Sequence, residues 1–295
     1  MLTYGFSIQG KGHIEKNVVC QDYNMVRRLS SGHYIGIVAD GVGSAPNSDV
    51  GSKMATEALF DYCSQHVRKI SSADDIEIII SDGFTYALGQ IREYAAKENK
   101  RIDNYDTTLS AVVYDGSSLI YGHAGDGGII VKHNDGFISM VTSRQKGADG
   151  ISVRPLRAGS GSWDFGTVED AASVLLVTDG MLDGVLQPVL INLPKDKMEL
   201  MRGSFEKNDV YVTASEFFMN PYSVYLNKSI KSPEKYMKRF LEGDMTGNDQ
   251  EIFKKCMLAA YARLLGKETA AKIIKGIEKY FYTVWPLIML RMIRV

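Results

Sequence analysis

The sequence predicts an α+β fold in which helices lie over antiparallel sheet. Three observations predict it. Two long segments in the first third carry apolar residues on one helical face. A run of short β-rich segments, punctuated by Asp-Gly, follows them. A further apolar run, SVLLVTDG, ends in another Asp-Gly at Asp179-Gly180. One-sided helices must bury their stripe on something apolar, and the β-rich run supplies it.

The elements follow in order. To about Ala39 the chain reads as strands: YGFSI alternates, and HYIGIVAD is a short apolar run closed by Asp40. A helix starts near Ser48 or Asp49, with Val50, Met54, Leu59, Tyr62 and Cys63 at helical spacing. A second starts near Ser72 or Asp74, with Ile76, Ile80, Phe84, Leu88, Ile91 and Tyr94 as its stripe. The stretch TLSAVVYDGSSLIYGHAGDGGIIVKHNDGFISMV reads as an antiparallel meander, with hairpin turns at Asp115-Gly116 and Asn134-Asp135-Gly136. Residues 143–172 are Gly-rich and irregular, with a strand around WDFGTV, before the strand SVLLVTDG. From about Leu186 to Gly247 the pattern loosens. Ser232-Pro233 suits a helix start, and Asp249 to about Tyr282 reads helical. One domain over 1–295 is expected, with a variable, mainly helical part from about 186.

Composition narrows the function. A formal net charge of -1 over 295 residues lacks the basic excess of an electrostatically driven nucleic-acid binder, so no nucleic-acid partner is expected. Cys20, Cys63 and Cys256 are far apart and form no C-x-x-C pair, which argues against a disulfide framework and a thiolate zinc site and fits a reducing cytoplasm. MLTYGFSIQG has no basic region before an apolar run, so no signal peptide is expected. No stretch of about 18 apolar residues is present, so no membrane span is expected. The tail YFYTVWPLIMLRMIRV is apolar but short and is interrupted by Arg291. A monomer is expected.

Three acids stand out by context. Asp22 lies in Cys-Gln-Asp after the first predicted strand, Asp40 closes IGIVAD, and Asp179 closes SVLLVTD. A carboxylate at the end of a buried strand is held rigidly where the sheet opens, and a following glycine lets the backbone carbonyl approach. Each alone also reads as a turn or a cap. Together they form an oxygen-rich set of the kind that hard cations such as Mg²⁺ and Mn²⁺ prefer. Two such ions, roughly 3.5–4 Å apart, activate water and clamp a phosphoryl group.

The series QDY, IVADGVGSAPNSDVGS, DTTLSAVV, YGHAGDGG and LLVTDGMLDG resembles the type 2C metal-dependent protein phosphatases, the PPM family, in the bacterial branch that carries Gln-Asp in its first motif. The resemblance covers about residues 3 to 184 in order. It implies a four-layer αββα sandwich, two antiparallel sheets flanked by helices, with a binuclear metal site at one edge. It implies that Asp40 bridges two divalent cations, Mn²⁺ or Mg²⁺. Gly41 would offer its carbonyl to one of them, and Asp22 and Asp179 would ligate the other. Asp126 and Asp183 would flank a third, weaker metal site. Thr107 and Thr108 match the family's Thr-Thr pair, read as structural. His123 reads either as a supporting core histidine or as a proton donor to the leaving oxygen. His13, which the bacterial branch carries, would contact phosphate or protonate the leaving group.

Two departures from the family pattern bear on function. Where many members place a phosphate-gripping Arg, this chain has Asn17 beside Lys16, a point charge without the guanidinium fork. The family's final Asp motif is matched only weakly, by Asp244 in EGDMTGND with Asp249 second, and helix rather than strand is expected after both. The segment TVWPLIMLRMIRV, where that motif would fall, holds no acid, and a reading-frame slip past Tyr282 would explain it. The expected activity is a serine/threonine phosphoprotein phosphatase that hydrolyses phosphate monoesters by a metal-activated water, with a cognate kinase as partner. Two other readings stand beside it: a phosphoprotein-binding or regulatory module with a degraded site, and a metal-dependent hydrolase of small phosphate esters or diesters.

Overall fold

The computed structural model describes residues 3–149 and 151–182, together with Met219 and Glu268. Asp183, Asp244, Asp249 and Cys256 lie outside the described residues. So do the loosened stretch, the Ser232-Pro233 start and the helix expected from Asp249.

Met1–Gln9, Asn17–Gly136 and Val141–Asp179 form one compact unit. Its first sheet has the strand order β1–β2–β3–β4–β7, with β1 Tyr23–Arg28, β2 Tyr34–Ala39, β3 Leu109–Tyr114, β4 Leu119–Ala124 and β7 Asp164–Val168. Every neighbouring pair is antiparallel. In β2 the side chains of Ile35, Ile37 and Ala39 are buried while their neighbours are partly exposed, the period of two expected of a strand with one face on the core.

Two helices cover that face. α2 spans Ser48–His66 and α3 spans Ala73–Lys97. The Ser72 side chain accepts the Asp75 N–H, and the Asp75 carboxylate accepts the Ser72 N–H, a complete capping box. α2 starts at Ser48, within the expected bounds, but its cap is Asn47, which makes no side-chain cap hydrogen bond, and the Ser48 hydroxyl accepts instead from Gln21 Nε2.

Leu59, Cys63, Ile76, Ile80, Phe84 and Ile91 are buried together with Ile35, Ile37, Ala111 and Val113 of the sheet. Each such large aliphatic side chain gains roughly 1.5–3 kcal/mol on leaving water. Phe84 packs edge-on against Trp163 at 5.6 Å and Phe165 at 5.3 Å, which ties α3 to β7.

The second sheet of this unit pairs β5 Gly128–His133 with β8 Ala171–Val177, antiparallel. A second apolar cluster, with Val112, Leu119, Ile129 and Val131 at its centre and Val174 and Leu176 packed on it, joins the two sheets. The architecture is an α+β sandwich of two antiparallel sheets flanked by helices. The helical layer expected over the second sheet falls on residues outside those described.

Three expectations change. YGFSI forms no strand, so Asp22 precedes β1 instead of following a first strand. The predicted meander divides. β3 and β4 form a hairpin in the first sheet, whereas β5 pairs in the second. Asp-Gly signals a reversal but does not say which sheet the next strand joins. The β3–β4 turn is also longer than two residues: the Asp115 carboxylate accepts the N–H groups of Ser117 and Ser118.

Of the described residues, the second compact unit takes in Gly10–Lys16, Phe137–Met140 and Gly180–Leu182. It contains a short helix, α1 Lys11–Glu15, and a short strand, β6 Ile138–Met140. Among the described residues no helix is long and apolar enough to cross a membrane.

Candidate functional site

Asp40 leaves the end of β2 and is clamped by its backbone. Its N–H donates to Thr108 Oγ1 at 2.9 Å, and its carbonyl accepts from Thr108 N–H at 2.8 Å and from Thr107 Oγ1 at 3.0 Å. Thr107 and Thr108 are buried. They sit just before β3, so β2–β3 pairing delivers them to Asp40. The pairing runs on past the strands, since Gly41 bridges to Thr107 and Val42 N–H donates to Asp106 carbonyl at 3.0 Å. Arg157 braces this stretch with a two-pronged contact to Asp106 at 2.6 and 2.7 Å.

Gly41 has a steric reason to be glycine. A Cβ there would lie 2.7 Å from the Ser48 carbonyl oxygen and 2.8 Å from the Gln21 carbonyl oxygen. Its N–H donates to Gln21 carbonyl at 3.1 Å. That carbonyl also accepts Ser52 Oγ at 2.6 Å, while Gln21 Nε2 donates to Ser48 Oγ at 2.6 Å. The first turns of α2 therefore pin the Gln21-Asp22 segment beside Asp40. Thr178 Oγ1 donates to Asp22 Oδ2 at 3.2 Å, which links Asp22 to the residue before Asp179.

The three acids meet at Asp40. Burial pushes the Asp40 carboxyl well above the ordinary carboxylate range, and the charges of Asp22 and then Asp179 push it further. Side-chain hydrogen bonding with Asp179 and Asp22 adds to the same upward push. Among the described residues, no group of three or more His, Cys, Asp or Glu is placed to hold a single ion. The donor chemistry fits divalent cations: carboxylate oxygens, with like charges gathered in a part-buried place.

Other candidate residues are placed differently. Asp126 is buried, and its carboxylate contacts Lys146 Nζ and lies 3.8 Å from Arg144 NH2. His123 is fully buried. Its Nδ1 lies 2.7 Å from Ser110 Oγ across the β3–β4 pair, and its Nε2 has no hydrogen-bond partner among the described residues. Burial holds its pKa below the usual histidine value, which favours the neutral ring, against the upward pull of Asp164. His13 lies in α1 and Lys16 is that helix's C-cap, both in the second unit. Asn17 has a positive φ of 55° and an exposed side chain.

The sequence marks Thr107 and Thr108 as scaffold and Ser48 only as a helix start, and it gives no sign of the parts that Ser52, Thr178 and Lys146 play. The Thr-Thr pair immediately before a strand was the one legible signal. The others depend on which loops meet, which no local pattern carries.

This arrangement defines a two-sheet α+β sandwich with an acid cluster where β2 and β8 end. The Protein phosphatase 2C family model matches residues 9–221, and the chain belongs to that family. Among solved structures, it is similar to a bacterial serine phosphatase at 16% identity and a TM-score of 0.52, covering 66% of this chain and 85% of that one. A point variant of a bacterial serine phosphatase matches at 15% identity and a TM-score of 0.51, covering 88% of this chain and 91% of that one. At these identities the likeness concerns the fold. No curated protein matches the sequence.

Proposed function

We propose that this chain is a phosphoserine/phosphothreonine protein phosphatase that works with two divalent cations, Mn²⁺ or Mg²⁺. The gathering of Asp22 and Asp179 on Asp40 carries the reading. The place of Asp40 at the end of β2, with the charges of Asp22 and Asp179 both acting on it, supports a bridging role for it between two ions. Gly41 offers its carbonyl, and Asp22 and Asp179 complete the carboxylate set. When bound, such ions lower the pKa of a water and offset charge on phosphoryl oxygens. Thr107 and Thr108 fix the Asp40 backbone, and Thr178 orients the Asp22 carboxylate.

On the motif alone, we assign His13 the proton delivered to the leaving serine or threonine oxygen, and Lys16 a point-charge contact to phosphate. His123, enclosed between β3 and β4, is assigned a positioning role through Ser110. Asp244 is the weak candidate for a last carboxylate. The substrates are phosphoproteins, with a cognate kinase acting on the same sites in the cytoplasm.

The test is hydrolysis of a phosphothreonine peptide with Mn²⁺, with EDTA, and in Asp40→Asn. Turnover that requires Mn²⁺ and is lost in the variant is expected. Turnover unaffected by EDTA would sink the proposal. Asn17, in place of an arginine fork, favours one second reading, a phosphoprotein-binding module. Mn²⁺ binding that Asp40→Asn abolishes, with no turnover, would select it.

A further inference from the structure

The segment after β6 closes over the Gly125-Asp126 loop. Gln145 N–H donates to Gly125 carbonyl at 2.8 Å, and Gly125 N–H donates to Gln145 Oε1 at 3.0 Å. Gly125 has a φ of +127°, and a Cβ there would lie 2.5 Å from Thr108 Cβ, so the loop sits tightly on the threonine that clamps Asp40. Lys146 is bridged to Val153, and Arg154 N–H donates to Gln145 carbonyl at 3.0 Å. This double tie aims two cations at one acid. Lys146 Nζ contacts Asp126 Oδ2, and Arg144 adds Nε to the Asp126 carbonyl at 3.0 Å and NH2 at 3.8 Å from Oδ2.

The Asp126 side chain is 4% exposed, against 29% for Lys146. A carboxylate this enclosed has little open surface left for a metal's ligand shell. A dication added beside the ammonium would meet like-charge repulsion in a poorly screened place. The described residues around Asp126 therefore do not fit a third divalent metal. We propose that Lys146, with Arg144 beside it, is a built-in cation that holds Asp126 where a third metal ion would otherwise sit. The consequence is a loop beside the Asp40 clamp whose order does not depend on metal concentration. The inference concerns Asp126 alone and does not require that the chain turns over phosphopeptides.

The test counts Mn²⁺ bound per chain after equilibrium dialysis, for wild type, Asp126→Asn, Lys146→Arg, Lys146→Met and the double variant Asp126→Asn/Lys146→Met. Wild type, Asp126→Asn and Lys146→Arg are expected to bind the same number. Lys146→Met is expected to gain one ion, and the double variant to lose it again. The gained ion also raises the melting temperature of Lys146→Met over that of the double variant, because a ligand that binds only the folded state stabilises it. A drop of one ion on going from wild type to Asp126→Asn would overturn the proposal, as would no gain in Lys146→Met. Asp40→Asn, counted in parallel, reports on the other acid cluster, so failure of the two-cation reading there leaves these differences readable.

Discussion

A part-buried trio of carboxylates and a single buried one lie on either side of Thr108 and are balanced in opposite ways. Asp40 faces Asp22 and Asp179; burial, and then their like charges, push its carboxyl pKa up. Asp126 faces Lys146 and Arg144 and is neutralised from within the chain. The first arrangement is poised to accept cations, because added positive charge relieves the repulsion. The second already has its cations. Thr108 stands between them, hydrogen-bonded to Asp40 on one side and packed against Gly125 on the other. The difference teaches that an acidic residue in a family motif is read for metal binding only together with what faces it.

Asp40→Asn should separate the two groups most widely. Phosphopeptide turnover is expected to fall on the order of a thousandfold, the scale seen when a key electrostatic group is lost. Mn²⁺ should raise the melting temperature of wild type and leave Asp40→Asn nearly unmoved. Asp126→Asn should retain the wild-type Mn²⁺ response. Equal loss of that response in both variants would erase the contrast drawn here.

Thr108→Val tests the shared element. It removes the hydroxyl that accepts the Asp40 N–H and keeps the branched shape. Groups that orient a metal ligand commonly matter by about 10- to 100-fold in metal affinity or activity. A rise of that size in the Mn²⁺ concentration needed for half-maximal activity is expected, with no change in the number of ions bound. An unchanged Mn²⁺ requirement would mean that the β2–β3 pairing alone holds Asp40.

Much of this was legible in the sequence. The stripes of α2 and α3 are long and periodic, and every predicted residue but Tyr62 lines the core or packs against it; Tyr62 stacks on His66 and packs against Tyr86 instead. The strand ends at Asp40 and Asp179 follow from short apolar runs stopped by Asp-Gly. What was not legible depends on tertiary choice. YGFSI alternates as a strand would but has no partner strand among the described residues. The HNDG turn marks a reversal without naming a sheet. Lys146 lies twenty residues from Asp126, in a segment that reads only as irregular, and nothing local predicts that it folds back onto that acid.

A core substitution gives a smaller, non-specific effect against which the site variants are measured. Phe84→Ala removes a fully buried ring wedged between Trp163 and Phe165 and is expected to cost about 3–5 kcal/mol in urea unfolding. It should lower wild-type and Asp40→Asn stability equally, since Phe84 lies in the helix–sheet core and touches neither carboxylate group.

Cys63 supplies the last and smallest expected change, which is none. Its thiol is fully enclosed under α2, and burial pushes its pKa up to about 12. The raised value means that its contribution to stability is intact below the ordinary thiol pKa and is lost only as pH climbs toward that figure. Near pH 8 the folded protein should therefore resist alkylation at Cys63, while Cys20, which is partly exposed, serves as the reacting reference within the same chain. Peptide mapping after iodoacetamide treatment should find Cys63 equally protected in wild type, Asp40→Asn, Asp126→Asn and Lys146→Met. Rapid labelling in one variant alone would show that its change in metal binding came from loosening the helix–sheet core, and the contrast between the two carboxylate groups would then lose that variant's support.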